Sequence, residues 1–263
     1  MIIGKNSIQK LGNLENQTFA EIKGLTISEA FTRLITCFQL SIFYNLLTFL
    51  LCYSCSQMVL FMLMLGSIPY WVQYILKREA NVEIFISGAF LLGSIISVPI
   101  WVKLGRKMGN RKVYIIGSGV SAILFVPMMF ISTIGATIIG TIFLGIALGA
   151  LWTLMYPCFS DVIDEIVVKT GARKEGIYTG IRTFFGRFSN IIGAIVIAGV
   201  HIATGFVADA PSQTPLAEFG VRVIMALVPM CFYIASCILM WKVYDLTPVR
   251  LQKIQNLLKE QNL

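Results

Sequence analysis

The chain has 263 residues, 57% of them hydrophobic and only 13% charged, with a mean hydropathy of +0.80. A soluble domain carries about 25% charged residues, so this composition excludes one and predicts an integral membrane protein. The net charge of +8 does not point to nucleic acid, because the basic residues sit at the ends of apolar runs, where membrane topology places them.

Residues 1–37 read as a cytoplasmic segment with an amphipathic helix. They are polar and mixed and lack the apolar core of a secretory leader. The first apolar stretch, residues 38–76, is too long for one span of about 20 residues. It divides into a span at about 40–65 and an aromatic collar, Pro69-Tyr-Trp-Val-Gln-Tyr74, suited to a membrane–water interface. Further spans are expected at about 84–102, 113–131, 136–158, 179–204 and 221–243. Between them come the basic stretch from Lys103 to Lys112, a short turn at 132–135, the charged segment from Asp161 to Tyr178, and a proline-containing loop. Residues 245–263 form a polar tail with a short amphipathic helix.

The apolar runs are continuous rather than alternating, so helices and not a barrel satisfy the backbone. The fold class is all-α membrane: six transmembrane helices over residues 38–244. Lys103, Arg106, Lys107, Arg111, Lys112, Lys169, Arg173 and Lys174 share one side with Lys242, Arg250, Lys253 and Lys259, whereas the opposite loops hold only Lys77, Arg78 and Arg222. That asymmetry puts both termini in the cytoplasm. Gly145-Ile-Ala-Leu-Gly149 is a G-x-x-x-G pattern for close helix packing.

Two motifs are set aside. Gly117-Ser-Gly119 with Ala122 imitates a dinucleotide fingerprint, but no βαβ pattern and no acidic residue about 20 positions on accompany it. Cys52 and Cys55 have C-x-x-C spacing without a second pair or a His cluster, and read as small apolar residues. No bound cofactor and no metal is expected.

Charge inside a span is the useful filter for chemistry. No Asp or Glu falls in mid-span, so the chain offers no buried carboxylate for Na+ or a proton. Arg182, about one turn into the fifth span, can snorkel to the cytoplasm, the reading favoured for it. Arg187 lies about 12 Å deep at 1.5 Å per residue. It either snorkels under strain or faces a cavity, where its fork would suit a carboxylate, a phosphate or a sugar hydroxyl. Trp152, Tyr156 and Phe184 are candidates to stack on a sugar face, although packing is the commoner use of such rings. Asp161 and Asp164 end the fourth span, where the helix dipole disfavours negative charge. An ionic latch from these carboxylates to Arg106 or Arg111 would offset that; solvated charges that set topology are the alternative.

The pattern Asp161-x-x-Asp164-Glu-x-x-x-Lys169-Thr-Gly171-x-Arg173-x-Glu175-Gly176-x-Tyr178 resembles the loop before the eleventh helix of the glycoside–pentoside–hexuronide cation symporters. These are the melibiose-permease-like branch of the major facilitator superfamily. Lys103–Lys112 looks like the turn between their helices eight and nine, and Gly24–Arg33 like the segment ahead of helix seven. The resemblance implies the carboxyl-terminal six-helix half of a twelve-helix transporter. It implies that Arg187 matches a cationic residue facing the central cavity. Asp161, Asp164, Arg106, Arg111, Arg173 and Glu175 are the candidates for a cytoplasmic gate. The resemblance also implies that the carboxylates for a coupling ion, Na+ or H+, lie in the other half.

The expected function is therefore secondary active transport of a sugar, glycoside or other small organic solute. The partners are the lipid bilayer, the solute, and an amino-terminal half or a second copy of the chain; a split gene or an incomplete one would explain the length. A non-transporting scaffold or relic is the alternative from another class. A lysolipid carrier is a lesser one, suggested by Phe184-Phe-Gly-Arg-Phe188. No nucleophile–base pair or acidic dyad lies within the spans, which argues against an enzyme.

Overall fold

A computed structural model of the chain describes residues 44–62, 67–208, 210 and 212–260. The amino-terminal segment and the family-like stretch Gly24–Arg33 lie outside them. The described residues form helices and no strand. Helix α1 spans Tyr44–Phe61. Helix α2, Ile68–Tyr70, winds on into a π-helical segment, Trp71–Ile75. Then come α3 (Asn81–Met108), α4 (Asn110–Met128), α5 (Ile134–Thr170), α6 (Glu175–Thr204), α7 (Pro215–Lys242) and the tail helix α8 (Pro248–Glu260).

Five of these, α3 to α7, are long and apolar enough to cross a bilayer; the apolar run of α1, Tyr44–Leu60, is shorter. The chain is a multi-pass, all-α membrane protein. Its bundle is organised by pairs: α5 packs most extensively on α3, α4 on both α5 and α7, and α6 on α1.

Small residues decide the α3–α5 pair. A Cβ at Gly145 would press into the Phe90 carbonyl oxygen, and one at Gly149 into Ser97 Oγ. With hydrogen there instead, the backbones approach closely enough for Ser94 Oγ to donate to the Gly145 carbonyl at 3.0 Å. The Trp101 indole N–H reaches the Ile146 carbonyl at 2.7 Å. This is the association physics of helices in lipid, where packing and interhelical hydrogen bonds replace the hydrophobic drive.

The helix boundaries add detail at two places. The aromatic stretch at 69–74 is helical, and Trp71 is 0% exposed, its indole N–H directed at Thr137 Oγ1 at 3.4 Å. Its rings face the bundle because Trp71, Val72 and Ile75 share one helical side with the core. The charged segment after residue 158 is also largely helical: α5 runs on to Thr170, burying Val162, Ile163, Ile166 and Val167. Gly171, at φ 71°, then ends the helix in the left-handed conformation that glycine adopts without strain.

Candidate functional site

Tyr53, Ser56 and Gln57 stand on one face of α1, spaced at the three and four residues that bring side chains together on a helix. With Phe49 they line a small cleft against Leu151, Trp152 and Met155 of α5 and Tyr114 of α4. The lining joins hydroxyls, an amide and an aromatic face, the groups that bind a polar solute with an apolar side. Ser56 Oγ lies 3.1 Å from the Tyr114 hydroxyl, which donates to the Cys52 carbonyl at 3.2 Å. The Gln57 amide is less well satisfied. Its Nε2 donates to the Met155 sulfur at 3.9 Å, a weak acceptor that a solute oxygen can replace. Trp152 is 36% exposed beside it, its ring edge-on to Phe90.

One turn toward the chain's basic end, Arg182 of α6 reaches into the same wall. Its guanidinium carbon lies 4.7 Å from the Phe159 ring centre, 4.9 Å from Tyr156 and 5.7 Å from Tyr53. Tyr53 thus lines both the cleft and this cage. The close approach depends on Gly186, one turn along α6, where a Cβ would sit 2.8 Å from the Tyr53 hydroxyl. Arg182 therefore does not snorkel out of the bundle. Among the described residues, its Nε and Nη1 are buried without a hydrogen-bond partner. Each ring face can contribute about 0.5–2 kcal/mol to holding the cation, but no ring supplies the directional lone pair these N–H groups lack. Charged donors left open cost about 1–3 kcal/mol each, or more.

The rest of α6 is sparsely covered. Only 17% of its most apolar window is buried, against 39–50% for α3, α4, α5 and α7. Tyr178, Gly186, Ser189 and Gly193 form its covered face. Phe184 is 65% exposed, and Phe188, stacked on it at 6.1 Å, lies on the same open side. Arg187 is exposed as well. Trp152, Tyr156 and Arg182 thus converge on Tyr53, whereas Phe184 projects away from α1.

The charges just beyond the Arg182 cage, toward the C-terminal end of α5, are arranged differently from the expected latch. Asp161 does meet the α3–α4 turn, but its partner is Asn110, whose amide donates at 2.8 Å. Among the described residues no ion pair joins Asp161 or Asp164 to Arg106 or Arg111. Arg111 is drawn elsewhere: it donates to the Met240 and Trp241 carbonyls at 3.3 and 2.7 Å, capping α7. Arg106 is exposed. Arg173 pairs with Glu175 at 2.8 Å, both half-exposed, and Asp164 lies in the field of both.

The carboxylate that organises this end is Glu165, a fixed position of the family-like motif that is not among the gate candidates. It is 2% exposed and accepts from Asn45 Nδ2 of α1 at 2.7 Å, Arg250 Nη2 of α8 at 2.6 Å and Lys169 Nζ at 3.0 Å. Arg250 also pairs with Asp245, whose backbone N–H donates to Asn45 Oδ1 at 3.0 Å.

Residues 16–248 match the model of a family described as MFS/sugar transport protein. The chain belongs to that family. The family is described as one of transporters. It is 23% identical over 187 residues to a glucuronide carrier protein homolog of Escherichia coli K12, covering 70% of this chain and 40% of that one. It is 25% identical over 172 residues to an uncharacterized symporter, YnaJ, of Bacillus subtilis, covering 64% of this chain and 36% of that protein. The chain thus spans about two fifths of the length of the curated relatives it matches.

Proposed function

We propose that the chain is one six-helix half of a secondary transporter for a small hydroxylated solute, a sugar or glycoside. The observation that carries this reading is the family match over residues 16–248; the narrow cleft between α1 and α5, with room for about one water, sets Tyr53, Ser56, Gln57 and Trp152 together as the candidate solute-facing wall. Alternating access needs two such halves rocking about a site between them. The open side of α6, with Phe184, Phe188 and Arg187, is where a second six-helix bundle would close the path. That bundle is a separate amino-terminal half or a second copy of the chain. The described Asp and Glu residues lie toward helix ends or in loops, so a coupling Na+ or H+ would be held by the second bundle. The excess of Lys and Arg in one set of loops supports a topology with both termini on the cytoplasmic side of the cell membrane. Arg187 faces the path, and Arg173, Glu175, Asp161 and Asp164 stand at its cytoplasmic mouth.

Uptake of radiolabelled sugars by membrane vesicles tests this. Gln57→Ala and Trp152→Ala each remove a group from the cleft and should cut uptake about tenfold or more at unchanged chain abundance. Uptake equal to wild type in both rejects the site. Arg187→Ala should lower uptake and Arg187→Lys should restore part of it; two unchanged variants remove Arg187 from the mechanism.

A further inference from the structure

Arg111 ties two helix ends together. Its guanidinium donates to the Met240 and Trp241 carbonyls, so the start of α4 lies against the end of α7. Their chain neighbours Lys112 and Lys242 are exposed, and among the described residues neither forms an ion pair. Arg111, Lys169, Arg173 and Arg250, at the same end of the bundle, all have partners. Asp245, three residues beyond Lys242, is taken up by Arg250. The surface beside these two free ammonium groups is apolar. Trp241 is 63% exposed, and Val249, next to the Pro248 ring that seats on Gly109 at the start of α4, is 65% exposed.

We propose that Lys112, Lys242 and Trp241 form a binding site for one anionic phospholipid, its phosphate between the ammonium groups and its acyl chain along the indole. Both α4 and α7 are long and apolar enough to cross a bilayer, and they leave it at this level. An uncovered indole beside lysines at that depth suits the boundary between headgroup and acyl chain, where Trp collects and Lys stems lie on apolar surface with their heads toward phosphate. A zwitterionic lipid carries its own cation against its phosphate, so net charge is what two unpaired lysines select. The site lies apart from the α1–α5 cleft and from the open side of α6, and does not depend on the solute reading.

The experiment is quenching of Trp241 by brominated lipid. The full chain, taken from its membrane with any bound partner, is placed in phosphatidylcholine vesicles containing increasing brominated phosphatidylglycerol, or brominated phosphatidylcholine in its place. The Trp241 signal is the fluorescence of the protein less that of the same protein carrying Trp241→Phe. The wild type should bind phosphatidylglycerol about 5- to 25-fold more tightly than phosphatidylcholine, roughly fivefold for each lysine. Lys112→Gln combined with Lys242→Gln should bring the ratio near one. Lys253→Gln combined with Lys259→Gln removes the same charge from exposed positions of α8 and should leave the ratio unchanged. Should the first double variant not accumulate, Lys242→Gln alone carries the test, with a ratio about fivefold below that of the wild type.

A wild-type ratio near one overturns the inference. Equal losses in the two double variants mean diffuse attraction to a basic surface rather than a site, and overturn it too. Recovery of Trp241 fluorescence on adding millimolar inorganic phosphate makes the lysines a small-anion site and removes the lipid as occupant.

Discussion

Glu165 shows how a single charge can be placed by helix spacing rather than by depth. It sits on α5 among the buried residues Val162, Ile166 and Val167, with Lys169 one turn on. Burying it alone would be expensive, and three donors from α1, α5 and α8 offset the cost. Glu165→Ala would leave Arg250 and Lys169 facing a void. Their side chains are 38% and 30% exposed, so water reaches them and the loss should be about 2 kcal/mol rather than the larger value of a sealed pair. A lower thermal midpoint in detergent and faster proteolysis at residues 245–260 should accompany it; an unchanged midpoint would show that the cluster is ornamental. Neither Glu165 nor Arg182 could be read from linear position. Depth along an apolar run suggests only that Arg182 can reach the cytoplasm, whereas the direction each residue takes around its helix decides its surroundings. The usable signal for Arg182 was the small-residue face it shares with Gly186, Ser189 and Gly193.

Whole elements were easier to read, because a continuous apolar run long enough for a bilayer leaves the backbone no alternative to a helix. Their ends were harder. The extension of α5 to Thr170 and the buried turn at Trp71 depend on neighbours that a linear pattern does not name. The G-x-x-x-G contact was legible as close packing, and its partner, α3, was not. Gly145→Ala should lower the thermal midpoint by an amount equivalent to about 1–3 kcal/mol of overpacking. Gly199→Ala, with nothing within 4 Å of the new methyl, should be neutral or slightly stabilising. Equal effects would contradict the α3–α5 seat. At opposite ends of the α4–α7 pair, Arg111 caps α7, and Arg222 caps α4 through the Met129 and Ile131 carbonyls at 2.9 and 3.1 Å. Arg222→Ala should therefore loosen this pair, seen as faster amide exchange at residues 126–131. Unchanged exchange would mean that water caps the helix equally well.

At the scale of the molecule, the account rests on what the open side of α6 and the adjoining α5 face touches. Exposed apolar surface on α3 and α4, such as Ile95 at 66% and Ile123 at 70%, needs only lipid. Tyr156 at 62% and Phe184 at 65% are assigned to a solute path closed by a second bundle. Labelling of single introduced cysteines by a water-soluble, membrane-impermeant thiosulfonate separates these environments, in a background with the native cysteines replaced by serine or alanine. The account predicts that Tyr156→Cys and Phe184→Cys react readily, that solute slows Tyr156→Cys, and that Ile95→Cys and Ile123→Cys stay unreactive. If Tyr156→Cys and Phe184→Cys prove as unreactive as the other two, that face lies in lipid and the chain does not line a transport path.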